Sequence, residues 1–315
     1  MGSTVVSDRP IDRSTQDVNR GDPAVRLKIL ATALAVGALA VVPACSVAEP
    51  AGTDSSAAPR AAEIASDKLV RSGYLTACMD MPYQPFQYFD EAGEPIGVDI
   101  DLMTEVAARL GLKPNFQNAV FDTIVAAVKG GKCDLVWADQ YVTPERVQQL
   151  DMMAYWKAAE VVVVQEGNPR HIGTRDQLCG FKVAGQKGGA DVAALEKLSA
   201  ACTGKGEPPV NILQFPRSPD AYQALASGQV DAWMTEEVAA LLLKKEGKAK
   251  VEFTDNFALG DGALAGLTAF SFRPDDPAIK DPVMKAIQSM IDDGTWHKIW
   301  EKWGLADIAV DPKSV

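Results

Sequence analysis

From residue 68 onward, short apolar runs alternate with stretches of helical periodicity, the pattern of strands and helices in an α/β sheet. Leu75-Thr-Ala-Cys78 reads as the first strand. It runs into Asp80-Met-Pro-Tyr-Gln-Pro-Phe86, where two prolines exclude both helix and central strand. After a turn at 90–95, Asp99 is expected to cap a helix with Ile100, Met103, Ala107 and Leu110 on one face, closed by Gly111. A second helix follows Phe121 and ends at Gly130. The β-branched run 161–164 has the composition of a fully buried strand. Lys182-Val-Ala-Gly-Gln-Lys-Gly-Gly189 is a strand leaving into a glycine-rich loop, with a helix from about Asp191. Further helices are expected after Ser218-Pro219, after Thr235 as a cap, over 282–292 and over 295–303. Strands are expected at 230–234 and 267–272. Trp296, Ile299, Trp300 and Trp303 form an aromatic stripe of the kind that packs a core.

One stretch carries more than pattern. Asp134-Leu-Val-Trp-Ala-Asp-Gln-Tyr-Val-Thr-Pro-Glu-Arg146 reads as a buried strand, a polar loop and a helix start. Thr143 suits the N-cap and Pro144 the first helical position. Arg146 at the third position opposes the helix dipole. It is either a plain surface arginine or a cation held for an anion bound outside the helix. The segment Gly131-Lys-Cys-Asp-Leu-Val-Trp-Ala-Asp139 is echoed by Gly228-Gln-Val-Asp-Ala-Trp-Met-Thr-Glu236. Each is a glycine, two residues, an aspartate, a short apolar strand and an acid at the strand exit. The echo suggests two similar α/β lobes presenting strand ends to a shared crevice, where open sheets bind ligands.

The N-terminus has another character. Arg26 and Lys28 precede an apolar run over 29–42 that is too short to span a bilayer. Val42-Pro-Ala-Cys45 follows and resembles a bacterial lipobox, implying a signal cut before Cys45 and acylation of that cysteine. The true translation start is expected near Val25. Residues 46–66, rich in Ala, Ser, Pro and Gly, read as a flexible tether. The net charge of −11, without a Lys/Arg run, argues against a nucleic-acid partner. Loss of residues 1–44 would remove five basic and four acidic groups from totals of 31 and 42, leaving the balance acidic. The glycine-rich loop at 185–189 matches neither the P-loop nor the dinucleotide fingerprint, which excludes nucleotide binding of those kinds. No Ser-His-Asp or Cys-His order is present, and His171 and His297 are not spaced as metal ligands. Cys179 and Cys202 flank one predicted strand and helix, so a disulfide between them is plausible in an oxidising compartment. Cys78 and Cys133, in apolar strand contexts, are expected as buried thiols.

Phe86, Gly97-Val-Asp-Ile-Asp-Leu102, Phe121, Thr143-Pro-Glu-Arg146, the Gly-Gln-Val-Asp231 repeat and Asp293-Gly-Thr-Trp296 occur in one order. In that order they resemble the bacterial extracellular solute-binding proteins of family 3, polar amino-acid receptors of ABC importers. The resemblance covers about residues 69–306. It implies a type II periplasmic-binding-protein-like α/β fold, two lobes joined by two hinge strands around a ligand cleft. The expected organisation is a lipoprotein signal at 1–44, a tether at 45–67, a discontinuous lobe 1 at 68–159 plus 268–310, and lobe 2 at 160–267. Hinges are expected near 158–161 and 265–268.

The resemblance also implies site roles. Arg146 matches the family arginine that binds a ligand α-carboxylate, the task of a bidentate guanidinium. Glu236 matches the carboxylate that holds the α-ammonium. It is also an acid where a helix's first turn favours one. Phe121 matches a stacking aromatic or is a core residue. Asp80 and Tyr83 match the side-chain pocket of basic amino-acid receptors, and Gly188, Gly189 and Ala190 match the glycine-rich loop. Three departures stand out. Relatives place small hydroxyl residues where Ala138, Asp139 and Tyr141 stand, and Ser or Thr where Gly189 and Ala190 stand. Asp139 would repel a carboxylate.

The expected cleft charges are Asp80, Asp139 and Glu236 against Arg146 and Lys187. Buried charges need partners, so the expected ligand is a polar amino acid or related solute with one or two cationic centres. No cofactor or metal is expected. The expected protein is a lipid-anchored, monomeric receptor that hands its ligand to a permease. Two rivals are weighed: a cyclohexadienyl-dehydratase-like enzyme on the same fold with Glu236 as general acid beside Asp139, and a ligand sensor without transport.

Overall fold

The structure is a computed structural model that describes residues 60–245, 250–260 and 262–315. The stretch expected as a signal, Cys45, and the expected tether as far as residue 59 lie outside the described residues. The chain enters through β1 (Tyr74–Met79), the hairpin β2 (Tyr88–Phe89) and β3 (Pro95–Ile96), and helix α1 (Val98–Arg109). Then come β4 (Lys113–Asn118), α2 (Ile124–Lys129), β5 (Leu135–Tyr141), the single turn α3 (Pro144–Val147) and β6 (Asp151–Lys157). The next part holds β7 (Glu160–Gln165), β8 (Lys182–Gln186), α4 (Ala190–Gly204), β9 (Asn211–Phe215), α5 (Ser218–Ala226), β10 (Ala232–Glu236), α6 (Glu237–Lys245) and β11 (Val251–Phe257). It returns through β12 (Leu267–Phe272), α7 (Pro277–Asp292), α8 (Thr295–Lys302) and β13 (Ala309–Ser314).

Two sheets result. One has the order β13-β6-β12-β5-β1-β4, the other β11-β7-β10-β8-β9. The chain passes between them twice, at residues 158–159 after β6 and at 258–266 after β11, so two short connections link two lobes. In the first sheet β1 runs parallel to β4 and β5, while β12 pairs antiparallel with β5 and β6. The expected run 267–272 is β12, buried along its whole length. Helices α1, α7 and α8 pack on one another. Trp296 and Trp300 are fully buried there, so the aromatic stripe is core. Trp137 stacks on Phe270 at 4.6 Å between ring centroids.

Several expectations are corrected. Asp99 does not cap α1. Gly97 holds that position at φ 136°, where a Cβ would fall 2.0 Å from the carbonyl oxygen of Phe86, so only glycine fits. Asp99 instead sits buried in the first turn and accepts from the Tyr155 hydroxyl at 3.1 Å. Thr235 lies within β10 rather than capping α6. The segment 60–67 is packed rather than a free tether: Ile64 is buried, and the Ala61 N–H donates to the Arg109 carbonyl at 2.9 Å. Cys78 and Cys133 are not thiols. They form a disulfide with Cα atoms 5.6 Å apart, because β1 lies directly beside β5 and brings Cys78 close to Cys133, two residues before that strand. Cys179 and Cys202 form the second disulfide, as expected.

Candidate functional site

The residues singled out along the chain converge where the lobes meet. Asp80 and Tyr83 follow β1, Phe121 opens the turn before α2, and Ala138, Asp139 and Tyr141 come from the exit of β5. Arg146 sits in α3, Gly189 and Ala190 begin α4, and Glu236 ends β10. All ten line one cavity of about 30 Å³. Gly188 is not in its wall, but its carbonyl accepts from an Arg146 nitrogen at 2.9 Å. Gly188 has φ 78°, and a Cβ there would meet the Asp122 backbone of the other lobe at 2.8 Å, so the close approach of the lobes requires glycine at this position. The cavity has room for about two water molecules; an amino acid enters only when the lobes part.

Closure is held by contacts between the lobes. The Tyr83 hydroxyl donates to Glu236, Lys187 pairs with Asp122 at 2.8 Å, and Gln186 donates to Asp80 at 2.5 Å. Lys187 is therefore engaged with Asp122 and is not a charge of the cavity wall, contrary to expectation.

Arg146 presents its guanidinium between Phe121 and the β5 exit. Thr143 caps α3 by accepting from the Arg146 N–H at 3.3 Å, which fixes the backbone. The guanidinium donates to the carbonyls of Tyr141 (2.8 Å) and Gly188 (2.9 Å), and its carbon lies 5.3 Å from the Phe121 ring centroid. No carboxylate pairs with it among the described residues. Enclosure pushes its pKa down to about 10, against the attraction of Asp191, Glu236 and Glu145.

Acids dominate the rest of the wall. Burial pushes Glu236 up to about 7, opposed by the hydrogen bond from Tyr83 and reinforced by the charge of Asp191. Glu160, buried at the start of β7, stands directly opposite Glu236 in the antiparallel register of β7 and β10. Like charges facing across a strand pair repel, and burial together with Glu236 pushes Glu160 well above the usual carboxylate range. Its Oε2 accepts no hydrogen bond among the described residues. Asp191 accepts from the Gln186 N–H at 2.8 Å and is raised by burial to about 6.

Asp139 is held from behind. One oxygen accepts from the Tyr155 hydroxyl at 2.8 Å and from Trp156 Nε1 at 2.9 Å, and among the described residues Oδ2 accepts no hydrogen bond. Tyr155 has a single proton to donate yet lies between Asp139 and Asp99. Burial and the Asp139 charge push Asp99 well up, so the second carboxyl favours its protonated form. Asp139 itself rises to about 6, mainly by burial.

Sequence reasoning missed Glu160, Asp191, Gln186 and Arg217. Gln186 and Asp191 lie in the strand, glycine-rich loop and helix start already singled out, but were given no role there; Glu160 joins the wall through strand pairing, and Arg217 reaches Asp80 across the cleft without lining the cavity. The inward position of Glu160 ahead of the β-branched run was its one local signal. Cys179, Cys202 and Glu207 cluster within metal-binding distance, but both sulfurs are in a disulfide and offer no thiolate. No helix of the described residues is long and apolar enough to cross a membrane.

Two α/β lobes joined by two short connections, closing on an enclosed polar cavity, define a ligand-trapping protein of the type II periplasmic-binding kind. The profile of bacterial extracellular solute-binding proteins, family 3, matches residues 75–306, and the chain belongs to that family. It is similar to the arginine-binding protein ArgT of Corynebacterium glutamicum, at 26% identity over 80% of this chain and 81% of the relative. An ancestral arginine-binding protein solved with arginine is similar at 32% identity, TM-score 0.65, over 73% of this chain and 98% of the other. An ancestral amino-acid-binding protein described as a precursor of cyclohexadienyl dehydratase is similar at 29% identity, TM-score 0.62, over 73% and 95%.

Proposed function

We infer that this protein is the extracytoplasmic substrate-binding component of an ABC importer and captures a polar amino acid, zwitterionic or cationic, by lobe closure. One observation carries this reading. An enclosed guanidinium without a carboxylate partner shares a cavity with Glu236 and with unpartnered oxygens of Glu160 and Asp139. A cation awaiting a carboxylate, facing acids awaiting donors, is the complement of an α-amino acid. The names of the relatives agree with it. Arg146 takes the α-carboxylate and Glu236 the α-ammonium. Phe121, Ala138 and Tyr141 line the bound molecule from the first lobe and Gly189 and Ala190 from the second. Ligand that touches both lobes shifts the open–closed balance toward closed.

The lipid anchor belongs to the same reading. It is supported by Arg26 and Lys28, the apolar run 29–42 and the small residues before Cys45. The cargo passes to a permease, and the receptor works as a monomer. Thermal-shift and calorimetric screening of the mature protein against amino acids, polyamines and compatible solutes tests the ligand class. A ligand at 100 times its Kd adds about 2.7 kcal/mol. Tight binding of Glu or Asp, with no neutral or basic amino acid bound, would reject it.

A second reading is favoured by one specific feature. Glu236, at about 7 in a closed cavity, has the proton affinity of a general acid at neutral pH. Turnover of prephenate or arogenate by the purified protein would establish a dehydratase, and its absence with binding retained leaves the receptor.

A further inference from the structure

The cavity has two electrostatic ends. The charges that act on Arg146 are Asp191, Glu236 and Glu145, whereas those that act on Asp80 are Arg217 and Asp122. The unpartnered acceptors of Glu160 and Asp139 lie among the first set. At the other end the Asp80 carboxylate is paired on both oxygens. Asp80 Oδ1 accepts from Arg217 at 2.6 Å and Oδ2 from Gln186 at 2.5 Å. The same Arg217 nitrogen donates to the Met81 carbonyl at 2.5 Å and reaches Asn118 Oδ1 at 3.4 Å. Arg217 comes from the second lobe, immediately before α5, and its three partners all belong to the first.

We propose that Arg217 is a built-in occupant of the Asp80 subsite, and that it sets the specificity of the pocket against ligands with a cationic side-chain end. The proposal rests on the amino-acid reading above and deepens it. A ligand guanidinium or ammonium arriving at Asp80 has to compete with an ion pair whose carboxylate already has a donor on each oxygen. Without displacing that pair it lies beside the Arg217 cation in a poorly hydrated site, where like charges repel strongly. A neutral polar end meets neither cost. A recess of about 580 Å³ adjoins the cavity, sharing Tyr83, Ser218 and Trp233 with it, and among the described residues its wall carries no charge. The ligand class assigned is an α-amino acid with a neutral, hydrogen-bonding side chain.

Arginine and citrulline have nearly the same shape and differ in side-chain charge, so their ratio isolates the effect. Calorimetry at pH 7.5 on the wild type and on Arg217→Met gives Kd(citrulline)/Kd(arginine) for each. Any general weakening of closure affects both ligands and cancels in the ratio. The proposal expects the ratio to rise at least fivefold in the variant as Asp80 becomes free for the arginine side chain; a smaller rise, or a fall, overturns it. Arg217→Gln, which drops the charge but keeps a donor for the Met81 carbonyl, replaces the methionine variant if that one does not fold. If no amino acid binds either protein, the amino-acid reading fails and methylguanidinium decides the role of Arg217. It should raise the melting temperature of Arg217→Ala and leave the wild type unchanged, and equal shifts overturn the proposal.

Discussion

The two lobes use one short pattern, Gly131–Asp139 in β5 and Gly228–Glu236 in β10, and reach different ends with it. At its fourth position the aspartate does the same task twice. Asp134 accepts from the N–H of Thr76 in the neighbouring parallel strand at 2.7 Å, and Asp231 accepts from Lys182 at the head of its neighbour at 2.9 Å. At its last position the pattern splits. Glu236 ends its strand and meets Tyr83 of the other lobe. Asp139 lies inside β5 at φ 47°, and Tyr155 and Trp156 tie it from behind. A non-glycine residue in that conformation costs about 1–3 kcal/mol and persists only where its surroundings hold it. One lobe thus carries an acid that makes contact across the cleft, and the other an acid anchored in its own core with one oxygen left over.

The third position differs as well, with Cys133 in the first lobe and Val230 in the second. The first lobe is therefore tied at the motif, by Cys78–Cys133 across 55 residues, and the second away from it, by Cys179–Cys202 across 23. Loop entropy makes the first bridge worth about 4 kcal/mol and the second about 3 kcal/mol. Urea unfolding of the two double-alanine variants should rank them in that order. A Cys78/Cys133 variant as stable as wild type would show that the first-lobe motif carries no covalent tie.

Arg146 follows the motif in the first lobe alone. Arg146→Ala should weaken amino-acid binding by about 3 kcal/mol, on the order of a hundredfold, because it leaves an enclosed carboxylate unpaired. Its melting temperature should stay close to that of wild type. Glu236→Gln keeps an acceptor for the ammonium and should lose roughly tenfold. Calorimetry that finds the two equal would remove the distinction between a first-lobe anion site and a second-lobe cation site.

The shared aspartates differ in burial, and that sets their sensitivity. Asp134 is fully buried and accepts from two backbone N–H groups, Val70 and Thr76. Asp231 is half-buried, and its second partner is the exposed side chain of Arg170. Asp134→Ala should cost about 2–3 kcal/mol and Asp231→Ala about 1 kcal/mol, since an unsatisfied buried donor costs more than one that water can reach. Equal losses in chemical denaturation would mean that the echo is matched in energy as well as in geometry.

What was legible in the sequence was what is local. The apolar run at 267–272 and the cap-and-proline start at Thr143-Pro144 needed only periodicity and turn chemistry, and the structure has both. Pro282 misled, because α7 begins five residues earlier at Pro277 and carries Pro282 inside it. The edge strand β13 includes Pro312, which no strand pattern would select. The site divides in the same way. Residues at motif ends were found, and those delivered by pairing were not. Glu160 becomes a cavity acid only because β7 sets it opposite Glu236, and Arg217 reaches Asp80 only across the cleft.

The comparison of Asp139 with Glu236 is sharpened most finely by protons. Burial raises Glu236 from 4.5 to about 7 and Asp139 from 3.8 to about 6. Across that window the folded, empty protein keeps protons that the unfolded chain has given up. The stability they contribute is complete below about pH 4 and is lost as pH rises through about 7. The melting temperature of the empty protein should therefore fall from pH 5 to pH 7.5. An ammonium set against Glu236 favours the ionised carboxylate, so binding should release about one proton near pH 6.5 and affinity should rise with pH. Calorimetry in buffers of different ionisation enthalpy counts that proton. Glu236→Gln should abolish most of the release, whereas Asp139→Asn, acting on an acid already bonded to Tyr155 and Trp156, should change it less. Proton uptake on binding, or release that survives Glu236→Gln and disappears in Asp139→Asn, would reverse the assignment and make the anchored acid the one that meets the ligand.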